Sequence, residues 1–187
     1  MPLSVVAAPA TEPLTLSEAK LQLRLSTDDD NAVVTSLIPS ARSVIEAVTR
    51  TALLTQQLRL TLPAFFNEIF LPRPPLQSVS TFTYLDADGA TQTVDSSLYN
   101  VVSGNPSRIT LATNQSWPET LEHPEAVTIT FVAGYATVAE IPPKLMAALR
   151  LEIEQEYEGP DDILQKAIDR LTYGSRHHNS AAWEHIN

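Results

Sequence analysis

Three histidines fall within nine positions, His177, His178 and His185, with Glu184 beside the last. Imidazole and carboxylate donors are the ligands a transition metal takes, so this is the place to look for metal chemistry. The pattern lacks the HExxH pairing that puts two ligands on one helical face, and an aperiodic segment preorganises no ligand set and no supporting shell. No metal is expected. Asp86-Ala87-Asp88-Gly89 begins like a calcium loop, but the later oxygen ligands, including a glutamate at the twelfth place, are missing; a hairpin tip is the better reading. Asp28, Asp29 and Asp30 read as negative charge at a helix start. Glu152, Glu154, Glu156 and Glu158 are two residues apart, a spacing that spreads them around a helix, so paired catalytic carboxylates are not expected. His123 has no evident partner, and neither a nucleophile elbow nor a phosphate loop occurs. Two other residues stand out. Trp117, beside Pro118, would be the stacking platform of a ligand-binding module. Trp183 either folds back onto the body or anchors in the pocket of another protein.

The elements that would hold these residues follow from periodicity. Thr15 and Glu18 have capping-box spacing, and good helix formers continue to Leu25. Asp29 to Val48 carries a 3.6-period stripe of Val34, Leu37, Ile38, Ala41, Ile45 and Val48, with Pro39 expected to kink or break it. From Leu53 the period changes to two. TQQLRLTL, EIFLP, VSTFTYL, TQTV, LYNVV, RITLA and AVTITFV are short strand-like runs separated by turns, and Asp88-Gly89 suits a type I′ hairpin. Pro142 and Pro143 open a helix with Leu145, Met146, Leu149, Ile153 and Tyr157 as its apolar face, ended by Gly159-Pro160. A last helix runs from Asp161 or Asp162 to about Tyr173, its stripe being Ile163, Leu164, Ala167, Ile168 and Leu171. The expected class is α+β: a helical body from residues 14–52 and 134–173, an inserted small antiparallel β lobe at 53–133 closed as a barrel or sandwich, a mobile arm at 1–13 and a tail at 174–187.

The chain has 187 residues and a formal charge of −10, from 12 basic and 22 acidic residues. A protein that grips nucleic acid neutralises phosphates with surplus lysine and arginine, which are lacking here. With no cysteine, disulfides and thiolate metal sites are excluded. No secretory leader is read at the start, no run approaches the roughly 20 apolar residues of a membrane span, and no membrane partner is expected.

LTLSEAKLQLRL, DDDNAVVTSLIPSARSVIEAVTRTAL, IFLPRPPLQSVSTFTYLDADGA, LYNV, WPET, VTITFVAGY and IPPKLMAALRLEIEQEYE, taken in that order, resemble the head–tail connector (adaptor) family of long-tailed phages and gene transfer agents, over residues 14–158. The resemblance implies a non-enzymatic ring protein without cofactors, usually a dodecamer, made in a bacterial host's cytoplasm and placed in the particle neck beneath the portal. It implies a platform for stopper or tail-terminator proteins and a channel through which DNA passes without specific binding. By the same analogy Tyr173, Arg176, His177, His178 and Trp183 are expected to touch the portal, and Glu152, Glu154, Glu156 and Glu158 to line the lumen. The competing readings are the ligand-binding β module built on Trp117 and a small hydrolase using His123 or the tail histidines.

Overall fold

The computed structural model describes residues 2–175. The chain folds into two compact units, one made by the segment up to Ala8 with Thr55–Gly134, the other by Pro9–Leu54 with the segment from Tyr135 onward. The first holds the strands and the second the helices, so the fold is α+β.

In the helical unit, α1 (Leu16–Gln22) starts at a complete capping box: Thr15 Oγ1 accepts from Glu18 N, and the Glu18 carboxylate accepts from Thr15 N at 2.8 Å. It ends earlier than its helix formers suggest, because Arg24 takes a left-handed backbone with φ 56°. The next helix, α2 (Asn31–Thr49), passes Pro39 as a single element and is not broken there. By length and composition alone it could cross a membrane. Instead Val34, Ile38, Ala41 and Ile45 are buried in the unit's core, where they meet Leu145, Ala148, Leu149 and Ile153 of α3 (Pro143–Glu158). Helix α4 (Asp162–Tyr173) is capped by Asp161, whose carboxylate accepts from Ile163 N at 2.6 Å, and buries Ile168 and Thr172.

In the strand unit, β1 (Leu3–Ala7), β2 (Gln56–Leu62), β8 (Val127–Ala133), β4 (Leu76–Leu85) and β5 (Thr91–Thr93) form one antiparallel sheet in that spatial order. A second sheet is ordered β3 (Glu68–Phe70), β7 (Arg108–Leu111), β6 (Tyr99–Val102). Register explains the core. Leu58, Leu60 and Leu62 of β2 lie opposite Phe131, Ile129 and Val127 of β8, and Phe82 of β4 lies opposite Ile129, so all share one face and all are buried. The two sheets meet at aromatic rings, Phe82 against Tyr99 edge-on at 5.1 Å.

Two expectations change. The segment read as a mobile arm is tied down: Leu3–Ala7 pairs with β2, and Glu12 accepts from Arg42 Nε at 2.7 Å. The β4–β5 hairpin is not type I′, which needs positive φ at both central residues. Gly89 N donates to Asp86 O and Asp86 N to Ala90 O, and in the loop only Gly89 takes positive φ, +79°; this is a three-residue loop with glycine in the left-handed position.

Candidate assembly surface

The residues that could have done chemistry are occupied by folding. Asp86 Oδ2 accepts from Gln92 Nε2 and Oδ1 from the amides of Ala90 and Asp88, which in that order hold its carboxyl below the usual range. Asp28 pairs with Lys20 at 2.6 Å, lowering its pKa through that bond first and Asn31 second. Asp30 accepts from the Tyr157 hydroxyl at 2.9 Å. His123 Nδ1 accepts from Glu125 N on an exposed loop. Trp117 is no open platform: it stacks on Phe65 at 4.7 Å and 4°, and its Nε1 donates to Phe66 O. Among the described residues no three His, Cys, Asp or Glu side chains converge as a metal site. His177, His178, Glu184 and His185 lie outside the described residues, as do Arg176 and Trp183.

The four glutamates of α3 divide. Glu152 is buried, contrary to its expected place on a solvated acidic face; burial, then the nearby charge of Glu156, pushes its pKa up. It falls one residue before Ile153 and three after Leu149, on the edge of the helix's apolar stripe. Glu154 accepts from Gln22 Nε2 at 2.9 Å and Glu156 from Ser40 Oγ at 2.9 Å, so both tie α3 to the preceding helices. Glu158 is exposed. The structure therefore does not bring the four to one bare surface.

What the surface does offer is unpartnered apolar side chains. Tyr173 is 73% exposed, and Ile163, expected in the core stripe of α4, is 76% exposed. Ile163, Lys166, Arg170 and Tyr173 recur at three- and four-residue steps and are all exposed, forming one outward stripe along α4. That spacing is present in the sequence, but the apolar stripe one position later competes with it. On the sheet, Val5 and Val6 are 59% and 43% exposed. Exposed aromatic and aliphatic groups such as these are the kind that the buried core of an interface uses.

The described residues form two antiparallel sheets and four helices. Residues 13–80 match the phage gp6-like head-tail connector protein family. No curated protein sequence matches the chain. A chain from the solved neck of an empty GTA particle, computed with C6 symmetry, superposes with a TM-score of 0.81 at 26% identity, covering 96% of this chain and 97% of that one. A chain from the virion of a native gene transfer agent particle gives 0.73 at 26% identity over 91% and 95%. Another, from the neck of the native GTA particle with C12 symmetry, gives 0.75 at 24% over 96% and 97%. The chain thus resembles head–tail connectors in sequence over its first part and in fold over nearly its whole length.

Proposed function

We propose that this chain forms a ring in the neck of a phage-like or gene-transfer-agent particle, beneath the portal, where it extends the DNA channel and presents a platform to stopper or tail-terminator proteins. The observation that carries the reading is the near end-to-end likeness to a chain solved in the neck of a GTA particle, at a TM-score of 0.81. A ring of identical subunits needs two different complementary patches on each. In this reading the outward stripe of α4 and the chain beyond Tyr173, with Arg176, His177, His178 and Trp183, meet the portal. Glu154, Glu156 and Glu158 contribute to a lumen that repels phosphate, consistent with the net charge of −10. Buried Glu152 does not share that role.

The test is assembly with the purified portal ring, read by native mass spectrometry. The expected product carries a symmetric set of copies of this chain, six or twelve. A chain that stays monomeric and ignores the portal overturns the reading.

A further inference from the structure

Among the described residues, the two outer edges of the five-stranded sheet are β1 and β5. Their free backbone groups can be identified by parity. Thr61 N donates to Pro2 O, so Pro2 and Ser4 turn their backbone hydrogen-bonding groups toward β2, and those of Leu3 and Val5 point away from the sheet. On the far side Asp86 N donates to Ala90 O and Val94 N to Phe82 O, which leaves the backbone groups of Thr91 and Thr93 pointing outward. Exposed edges of this kind are normally blunted with lysine, inward charge, proline, a bulge or a very short strand. Strand β5 is short and β1 carries a register shift between Val5 and Ala7, but neither edge is blunted by charge or proline. Leu3-Ser4-Val5-Val6-Ala7 and Ala90-Thr91-Gln92-Thr93-Val94 contain no charge and no proline. The edge of the other sheet contrasts with them, because β3 carries Glu68 paired to Arg108 at 2.8 Å.

A second observation points the same way. Val5 lies opposite Leu58 and so on the core face of the sheet. Leu58 is 2% exposed and Val5 59%, so the layer that covers the core stops one strand short. The core face continues past its cover at the β1 edge.

We infer that β1 of one copy pairs with β5 of the next, so that the five-stranded sheet runs on from subunit to subunit. The occupant is a second copy of this chain. Every neighbouring pair in the sheet is antiparallel, and with five strands the first and last run in the same direction. A modest rotation about a ring axis keeps that direction and sets β1 beside β5 as a parallel pair. Pairing of β1 with its own equivalent would demand a two-fold axis, which closes a dimer and ends growth. The inference rests on the ring reading and specifies which surfaces join its subunits.

The chain has no cysteine, so introduced thiols report without background. The experiment uses the full chain with Val5→Cys and Thr93→Cys together, each alone as control, and a short bis-maleimide linker. The double variant is expected to give a ladder of covalent multimers, at least tenfold above either single variant. In parallel, Val5→Lys is expected to leave the thermal unfolding midpoint of the dissociated chain unchanged and to reduce the ring population tenfold or more. Rings that persist in Val5→Lys, or a ladder missing from the double variant while rings still form, overturn the edge pairing and spare the ring. Dimers from Val5→Cys alone overturn it in favour of a two-fold contact. A wild-type chain that forms no ring overturns both.

Discussion

Arg42→Met should destabilise the helical unit far more than a surface arginine substitution. Arg42 sits in α2 and holds two carboxylates. Its Nε and Nη2 donate to Glu12 at 2.7 and 3.2 Å, and its Nη1 donates to Glu46, one turn on, at 3.3 Å. The Glu46 side chain is only 7% exposed, and its second oxygen accepts from Leu53 N at 2.8 Å. The Arg42 guanidinium thus joins the segment before α1 to α2, and the Glu46 carboxylate joins the segment after α2 to the same helix. Removing one partner of a buried ion pair costs about 3–5 kcal/mol, because the other charge is left uncompensated. Here the Arg42–Glu46 contact is long and Leu53 N still solvates the carboxylate, so about 2 kcal/mol is the fitting share. The Glu12 fork, with that side chain 31% exposed, adds about 0.5–1 kcal/mol. The expected loss is about 3 kcal/mol. Glu46→Gln, which keeps an acceptor for Leu53 N, should cost about 1 kcal/mol. The double variant should cost about 1–2 kcal/mol less than the sum, since the two side chains interact directly. Urea unfolding at a protein concentration that keeps the chain dissociated measures this free of assembly linkage. A loss below about 1 kcal/mol for Arg42→Met, or strict additivity in the double variant, refutes the assignment.

Further outcomes follow from single sites. Glu152 has its folded-state pKa raised by burial, so its neutral form is favoured in the fold; that stability is present at low pH and lost as pH rises through the raised value. Glu152→Gln should therefore raise the unfolding midpoint at pH 7 and lose this advantage in acid below the carboxylate range, as thermal melts across pH will read. Thr15→Ala removes the capping box of α1 and should cost about 1 kcal/mol in urea unfolding, with most of the loss restored by Ser. Gly134 closes the strand unit at φ 111°, its amide donating to Pro75 O at 2.8 Å and its carbonyl accepting from Gln77 Nε2. Val at that position should cost about 1–3 kcal/mol from backbone strain, seen as an earlier melt.

How much of this is legible in the sequence depends on the range of each interaction. The Thr15–Glu18 box and the Asp161 cap are local, and residue type and spacing disclose them. The seven strand runs from Gln56 to Ala133 show because their period is two, and the α+β class follows. Strand β1 escapes a sequence reading because LSVVA is short and pairs with Leu58 and Leu60, more than fifty positions away; nothing local fixes such a partner. The hairpin at Asp86–Ala90 is legible in place but not in turn type, since Asp-Gly serves both a type I′ pair and a loop in which glycine alone has positive φ. Glu152 reads as solvated because it is a glutamate among glutamates; its burial follows from the angular position it shares with Leu149 and Ile153. Residue type draws Ile163 into the apolar stripe, whereas α4 buries Ile168 and Thr172 and leaves position 163 outside. At the proposed assembly surface the criteria are exposure and free backbone edges, and both are properties of the folded chain.

The most direct measurement is a reconstruction of the particle neck at side-chain detail, made without imposed symmetry. The expected result is a closed ring of this chain next to the portal, with β1 of each copy against β5 of its neighbour and a lumen free of lysine and arginine clusters. A neck built without this chain, or single copies scattered on the particle with no ring, would contradict it.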